Sequence, residues 1–404
     1  MAGRGIGFIY VTVALDALAI GIVIPVFPTL IGSITAFNAA QIAGAVGALA
    51  TLFALVQFFA APVIGALSDR FGRRPIVLAS NIGLGVDFAV MALAPNLAWL
   101  AAGRLLSGMA SGSGPAACAY LADVTNPSRR ASTFGVMFGV QALGATLGPA
   151  IGGLLSATDL RAPFWLASAL CLLNASYGLF VLPESLPREQ RAAFSWMHAN
   201  PIGALMWLVR TYPRLSVMIV VAFLLSLASQ GANSITVIYA SYRYQWTPQT
   251  IGIVLTVFGL ASLAVQAGLV SFSTRHLGER ATFLGGMALT ALGLVVFGAA
   301  ETGAQFWFGI PLLALGAICG PVMGGYFSKA VADNEQGRLQ GAWSGVNAGM
   351  GLIAPGLFAF TFAGSISMPV QAVPGLAFFL AAALIALAIA IGAGAMASLS
   401  GQRG

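Results

Sequence analysis

Three ionisable side chains stand where the surrounding sequence gives them no solvent. Asp16, Asp87 and Arg104 each lie well inside a long apolar run. A charge at the centre of a bilayer costs on the order of 3 kcal/mol on insertion scales, so a charge kept there is a functional candidate. A carboxyl group tolerates such a place as the neutral acid, because burial disfavours its charged form. An acid of that kind can load a proton on one side of a membrane and release it on the other. That is the chemistry Asp16 and Asp87 suggest. The plainer alternative is structural: an aspartate that caps polar groups or pairs with Arg104. Arg104 in turn reads as the partner of an acid or of backbone carbonyls in the same half of the chain.

Other chemistries find little support. Cys118, Cys171 and Cys319 all fall within apolar runs, show no CxxC spacing, and read as small core residues rather than metal ligands or disulfides. No nucleophile–base set or metal-ligand cluster appears, so an enzyme is not expected. No cofactor is expected either, the proton as coupling ion apart. The net charge of +7 comes without a basic patch interleaved with aromatics, which argues against nucleic acid.

The elements that position these residues follow from composition. The 404 residues are 59% hydrophobic and 7% charged, against roughly 25% charged in soluble domains. Apolar runs near the length of a bilayer-crossing helix predict an all-α membrane protein. Twelve spans are expected, at 6–27, 42–66, 76–94, 97–122, 132–155, 163–182, 216–239, 250–272, 281–300, 305–330, 339–362 and 374–397. Arg4 and Ala17-Leu18-Ala19 superficially suggest a cleavable leader. Asp16 interrupts that run and hydrophobicity continues to Phe27, so an uncleaved first span is expected. The connection 183–215 holds Arg188, Arg191, Arg210 and Arg214. Its apolar stretch Pro201 to Val209, with Trp207, suits an interfacial helix.

Charge sets the orientation. With both termini cytoplasmic, every Lys and Arg except Arg104, Arg161 and Arg243 lies on the cytoplasmic side, as basic short loops require. An internal repeat at an offset of 206 residues carries Pro115 and Pro149 onto Pro321 and Pro355. It also carries Gly72, Arg74, Tyr120 and Gly135 onto Gly278, Arg280, Tyr326 and Gly341. Two six-helix halves are therefore expected, 1–182 and 216–404, with 183–215 as the linker and a binding site between the halves at mid-membrane.

The second half carries no acid at mid-membrane: Glu301 falls at a span end, and Asp333 and Glu335 fall in a turn. It offers neutral polar groups at helical spacing instead. Ser226, Gln230 and Asn233 share one face, as do Ser262 and Gln266, and Trp343 and Asn347. Such groups either bind a substrate or join helices. Candidate substrate contacts are Gln57, Gln141, Gln230, Asn233, Gln266, Trp343 and Asn347. In span five, Gly144, Gly148, Pro149, Gly152 and Gly153 combine close-packing glycines with a helix-kinking proline. They serve packing alone or also a bend that seals one side of the cavity.

Several stretches resemble a known family. Gly65-x3-Asp69-Arg70-x-Gly72-Arg73-Arg74 resembles the loop 2–3 signature of the major facilitator superfamily at every fixed position. Gly144-x3-Gly148-Pro149-x2-Gly152-Gly153 resembles its antiporter motif in span five, and Gly103-Arg104-Leu105-Leu106-Ser107-Gly108 its span-four motif. Leu15-Asp16-Ala17, Val86-Asp87-Phe88, Ala119 to Thr125, Pro183-Glu184-Ser185 and Gln336 to Gly341 are similar to the tetracycline/proton antiporters. The resemblance implies that Asp16 and Asp87 line the translocation path, with Gln230 and Gln266 among the substrate contacts. It implies a cytoplasmic gate of Gly65, Asp69, Arg70, Gly72, Arg73, Arg74 and Asp123, in which Asp69 faces the start of span eleven and Arg70 pairs with Asp123.

Two positions depart from those antiporters. Leu289 stands in span nine where they carry an acid, and Ser262 in span eight where they carry a histidine. Both are tied to proton coupling or to the tetracycline–metal complex, so a different proton stoichiometry or a different substrate is implied. The expectation is a monomeric, multi-pass transporter of a bacterial inner membrane. It would export a drug-like or amphipathic organic molecule against protons by alternating access. Proton-coupled import of an organic nutrient or chelate is the alternative.

Overall fold

The computed structural model describes residues 2–126, 129–191, 210–212, 215–331, 336–367 and 373–400, and these contain helices and no strand. The first-half helices are α1 (Ala2–Val23), α2 (Phe27–Ile34), α3 (Ala39–Phe71), α4 (Arg73–Leu93), α5 (Leu97–Ala110), α6 (Ser113–Val124), α7 (Arg130–Leu155) and α8 (Ala162–Val181). They are followed by α9 (Ser216–Tyr244), α10 (Pro248–Ala299), α11 (Gly303–Gly316), α12 (Cys319–Ala330), α13 (Gln336–Ser367) and α14 (Leu376–Ser400).

Among the described residues, ten helical stretches are long and apolar enough to cross a membrane, α11 and α12 counting as one of them. The twelve expected crossings appear once two features are allowed for. The 52-residue α10 changes direction at Gly278, whose φ of 81° is non-helical, and so supplies two crossings. Span four is divided between α5 and α6, each too short by itself. The first span also ends earlier than expected. Pro25 and Pro28 interrupt the ladder, α1 stops at Val23, and α2 restarts with a proline in its first turn. The 201–209 segment, with Trp207, lies outside the described residues, as do Arg214, Asp333 and Glu335.

The sequence repeat is a repeat of breaks. Span four restarts after Gly112 and its counterpart after Ile318, each three residues before a proline, Pro115 and Pro321. Among the described residues, Gly72 and Gly278 are the glycines with positive φ, at 106° and 81°. Each turns the chain sharply between two helices, in a region that a Cβ disfavours. Pro149 and Pro355 both lie inside long helices.

The chain forms two compact units. The first comprises Met1–Phe37, Leu49–Asn200 and Trp246–Thr256. Here α1 packs against α7 and α8, and α4 against α5, α6 and α8. Its core gathers Phe8, Ile9, Val13, Val77, Tyr120, Leu121 and Met137. The second comprises Asn38–Ala48, Pro201–Gln245 and Val257–Gly404, with α9 packed on α13 and α14. Its core surrounds Tyr239, which is fully buried against Phe306, Phe362 and Phe378 and donates its hydroxyl to the Phe297 carbonyl at 3.1 Å. Phe180, Leu173 and Phe308 point outward, as side chains that face lipid do.

Candidate functional site

In the first unit, α4 and α5 run side by side and bring two of the three intramembrane charges together. Arg104 Nη2 donates to Asp87 Oδ2 at 2.8 Å. Asp87 is fully buried, and its Oδ1 has no hydrogen-bond partner among the described residues. That oxygen lies over Gly103, where a Cβ would approach it to 2.7 Å. Ser107, one turn beyond Gly103 on α5, offers its hydroxyl to the same carboxyl group. The guanidinium also contacts Met91 Sδ at 3.1 Å and stands 5.7 Å from the ring centroids of both Phe27 and Phe53. Aromatic faces favour a cation. Arg104 is thus held between a carboxylate and two rings, and a buried charge is tolerable only with such partners. Phe27 and Phe53 carry no charge signal in the sequence; only the packing of α2 and α3 identifies them.

Asp16 lies on α1, buried to 8% exposure, facing the Ser113 hydroxyl at the start of α6. Its Oδ1 also lacks a partner among the described residues. One turn earlier on the same face, Thr12 accepts a hydrogen bond from Asn174 Nδ2 of α8 at 3.1 Å. Asp87 thus has a cationic partner in Arg104, whereas Asp16 forms no ion pair among the described residues.

The charged turn after α3 is built differently from expectation. Asp123 receives Arg73 Nε at 3.2 Å, and not Arg70, whose guanidinium lies 5.2 Å from the Phe71 ring centroid. Arg73 Nη1 also holds Asp69, one helical turn earlier, and donates to Ser68 Oγ at 3.2 Å. The reason is the Gly72 turn: with φ at 106° it ends α3 and starts α4 at Arg73, which places the Arg73 side chain between Asp69 and Asp123. Arg74 points elsewhere and donates to the Leu179 carbonyl of α8 at 2.6 Å. Gly65 has open space where a Cβ would lie.

Glu184 completes this turn. Its Oε1 accepts the backbone N–H groups of Arg73, Ser185 and Leu186 at 2.8, 3.0 and 3.1 Å. Its Oε2 lies where a Gly72 Cβ would be, with Arg191 at 3.9 Å. Ser185 Oγ donates to Asp123 at 3.0 Å. The Pro183-Glu184-Ser185 stretch was visible in the sequence, but its role depends on which turn it meets.

The span-five glycines have two faces. Gly144, Gly148 and Gly152 press on α1: a Cβ on Gly148 would come within 2.7 Å of Gly21 Cα and of the Leu18 carbonyl oxygen, and one on Gly152 would meet the Ile22 carbonyl. A Cβ on Gly153 would instead approach Pro248 O to 2.6 Å and Gln249 Cα to 3.0 Å, at the start of α10. Pro149 lies between these faces, inside α7.

The remaining candidates are scattered. Gln57 is half-buried on α3 and Gln141 exposed on α7. In the second unit, Gln230 Nε2 donates to the Asn347 carbonyl at 3.3 Å, joining α9 to α13. Asn347 is half-buried, and Asn233 and Gln266 are exposed. Ser262 is buried with its hydroxyl unpartnered among the described residues. The Trp343 side chain lies outside the described residues.

This all-helical membrane fold with repeated halves defines a transporter. A model of the major facilitator superfamily matches residues 9–243. Tetracycline resistance protein, class C, of Escherichia coli is 38% identical over 359 residues, covering 88% of this chain and 89% of the relative. The class G protein of Vibrio anguillarum is 36% identical over 81% of this chain and 83% of the relative. Among solved structures, the human organic anion transporter MFSD10 superposes with a TM-score of 0.71 at 21% identity, over 97% of this chain and 99% of that one. The nucleoside transporter NupG does so with a TM-score of 0.76 at 12% identity, over 96% and 99%. The chain belongs to the major facilitator superfamily and, within it, to the family of the tetracycline resistance proteins.

Proposed function

We propose that the protein is a proton-coupled exporter of a drug-like or amphipathic organic molecule, working by alternating access. The observation that carries this reading is the Asp87–Arg104 pair: a fully buried carboxyl group whose one oxygen is neutralised and whose other oxygen is left over. Similarity to tetracycline resistance proteins along most of the chain supports export of an organic drug. In this scheme Asp87 and Asp16 exchange a proton as substrate enters and leaves. Arg104 stabilises the deprotonated Asp87 and releases it when the proton returns. Each elementary charge moved down the membrane potential supplies about 2.3 kcal/mol per 100 mV, enough to drive a substantial uphill step.

The halves 1–182 and 216–404, joined by 183–215, rock about a site to which Gln57 and Gln141 contribute from one side. Gln230, Asn233, Gln266, Trp343 and Asn347 contribute from the other. The Gly65 to Arg74 turn with Asp123 acts as the cytoplasmic gate. The bacterial inner membrane is the location, with both termini in the cytoplasm, and the monomer is the working unit. Leu289 and Ser262 replace the acid and histidine implied by the resemblance, which favours a substrate other than the tetracycline–metal complex. Inverted vesicles test the scheme: a panel of organic drugs including tetracycline is added, and proton release is followed by a pH-sensitive dye. A compound that releases protons from native vesicles and not from Asp87→Asn vesicles is the expected result. Release that survives the substitution would remove Asp87 from the coupling.

A further inference from the structure

The segment Trp246–Thr256 belongs to the first unit, and the Thr256 hydroxyl joins it to α7. Thr256 Oγ1 donates to the Thr146 carbonyl at 3.0 Å and accepts the Ala150 N–H at 3.1 Å. Thr146 and Ala150 are four residues apart on α7, so they are the two ends of an ordinary helical i→i−4 hydrogen bond. The hydroxyl of another helix thus engages both ends of that turn. The place is not arbitrary, because Pro149 immediately precedes Ala150. Proline removes a ladder donor and crowds the carbonyl four residues back, and a side chain inserted into the ladder fixes a bend. Around Thr256 the backbones touch. A Cβ on Gly252 would meet the Pro149 carbonyl, and Gly153 lies against Pro248 and Gln249.

The opposite face of this stretch meets α1 on either side of Asp16 in sequence. Cβ atoms on Gly144 and Gly148 would collide with the backbone of Ala14, Leu18 and Gly21 on α1, and those residues bracket Asp16 in sequence. Asp16 itself is on the far side of α1, toward Ser113. Because the backbone of α7 at Gly144 and Gly148 lies directly against that of α1, a shift in the bend of α7 moves or rotates α1. We infer that Thr256 is a positioning residue for Asp16: its hydroxyl sets the bend of α7 at Pro149, and the glycine face of α7 sets the place of Asp16. This rests on the proposed role of Asp16 for its relevance to transport, while its geometry stands independently.

A second Gly-x3-Thr, 205 residues earlier, supplies a comparison inside the same chain. Gly47-x3-Thr51 of α3 has the spacing of Gly252-x3-Thr256, yet Thr51 Oγ1 is buried without a hydrogen-bond partner among the described residues. Thr256 is thus the engaged hydroxyl and Thr51 the idle one.

The test uses full-length protein in lipid nanodiscs, with Thr256→Val, Thr256→Ser, Gly252→Ala and Thr51→Val compared with the native chain. Hydrogen–deuterium exchange reads the ladder at residues 144–153. The rate at which dicyclohexylcarbodiimide labels Asp16, measured by mass spectrometry with Asp87→Asn as background, reads the position of the acid without any transport assay. Thr256→Val should speed exchange across 144–153 several-fold and change Asp16 labelling several-fold, with both near native in Thr256→Ser and Thr51→Val. Gly252→Ala, which keeps the hydroxyl but pushes α10 away, should reproduce the valine effect and serves if the valine variant does not fold. Native exchange in folded Thr256→Val would overturn the clasp, and faster exchange with unchanged Asp16 labelling would overturn its link to Asp16. If Asp16→Asn vesicles still couple protons while these effects appear, the positioning stands and the transport role of Asp16 falls.

Discussion

Arg104 on α5 reaches across to Asp87 on α4 at 2.8 Å, and the same α5 presents Gly103 to the other carboxyl oxygen. One helix therefore supplies the charge that binds Asp87 and the gap that accommodates it. The expected consequence of Arg104→Ala is severe. Breaking a buried pair by removing one partner costs about 3–5 kcal/mol, since the other charge is left alone. Arg104→Ala should lose thermal stability in detergent, and Arg104→Ala with Asp87→Asn together should regain part of it. A double variant no more stable than the single one would show that the pair carries no such energy.

Gly103→Ala adds only one methyl group, but against Asp87 Oδ1 there is no room for it. Overpacking of this kind costs about 1–3 kcal/mol. Substrate-induced proton release should fall sharply. Gly114→Ala, where nothing lies within 4 Å, should behave as native in the same assay. Equal rates for both variants would remove Gly103 from the site.

At the Gly72 turn, Glu184→Gln keeps an oxygen for the three backbone donors and Glu184→Ala removes it. Unsatisfied partners of a charged acceptor cost about 1–3 kcal/mol. The alanine variant should therefore be markedly less stable than the glutamine variant. Gly72→Ala should resemble Glu184→Ala, because it adds a cost of about 1–2 kcal/mol for left-handed backbone to a collision with the Glu184 carboxylate. Melting curves monitored by tryptophan fluorescence check the order; a glutamine variant as weak as alanine would contradict it.

Within α7 the glycines are not equivalent. Gly152→Ala drives a methyl group into the Ile22 carbonyl of α1, whereas Gly139 has open space around it. Gly152→Ala should reduce the yield of folded protein by size-exclusion chromatography and Gly139→Ala should not, although both are glycines of one helix.

The wider pattern of the fold was legible because the bilayer leaves few choices. Runs of apolar residues must become helices that satisfy their own backbone, and the basic side chains mark one side of them. The repeat at 206 residues was equally plain, and the structure shows what it repeats: the positive-φ turns at Gly72 and Gly278 and the breaks before Pro115 and Pro321. The intramembrane charges announced themselves by the cost of burying them.

What the sequence by itself determined, then, was which residues stand out against an apolar chain: Asp16, Asp87, Arg104, the glycines of α7 and the charged turn. Only the tertiary structure decided their partners. Arg73 takes Asp123 in place of Arg70 because the Gly72 turn fixes which arginine faces it. Glu184 closes the turn, and Thr256 enters a helix ladder more than a hundred residues away. Neutral hydroxyls cost little to place, so composition does not flag them. Their function lies in the backbone they touch, and that contact exists only once the chain has folded.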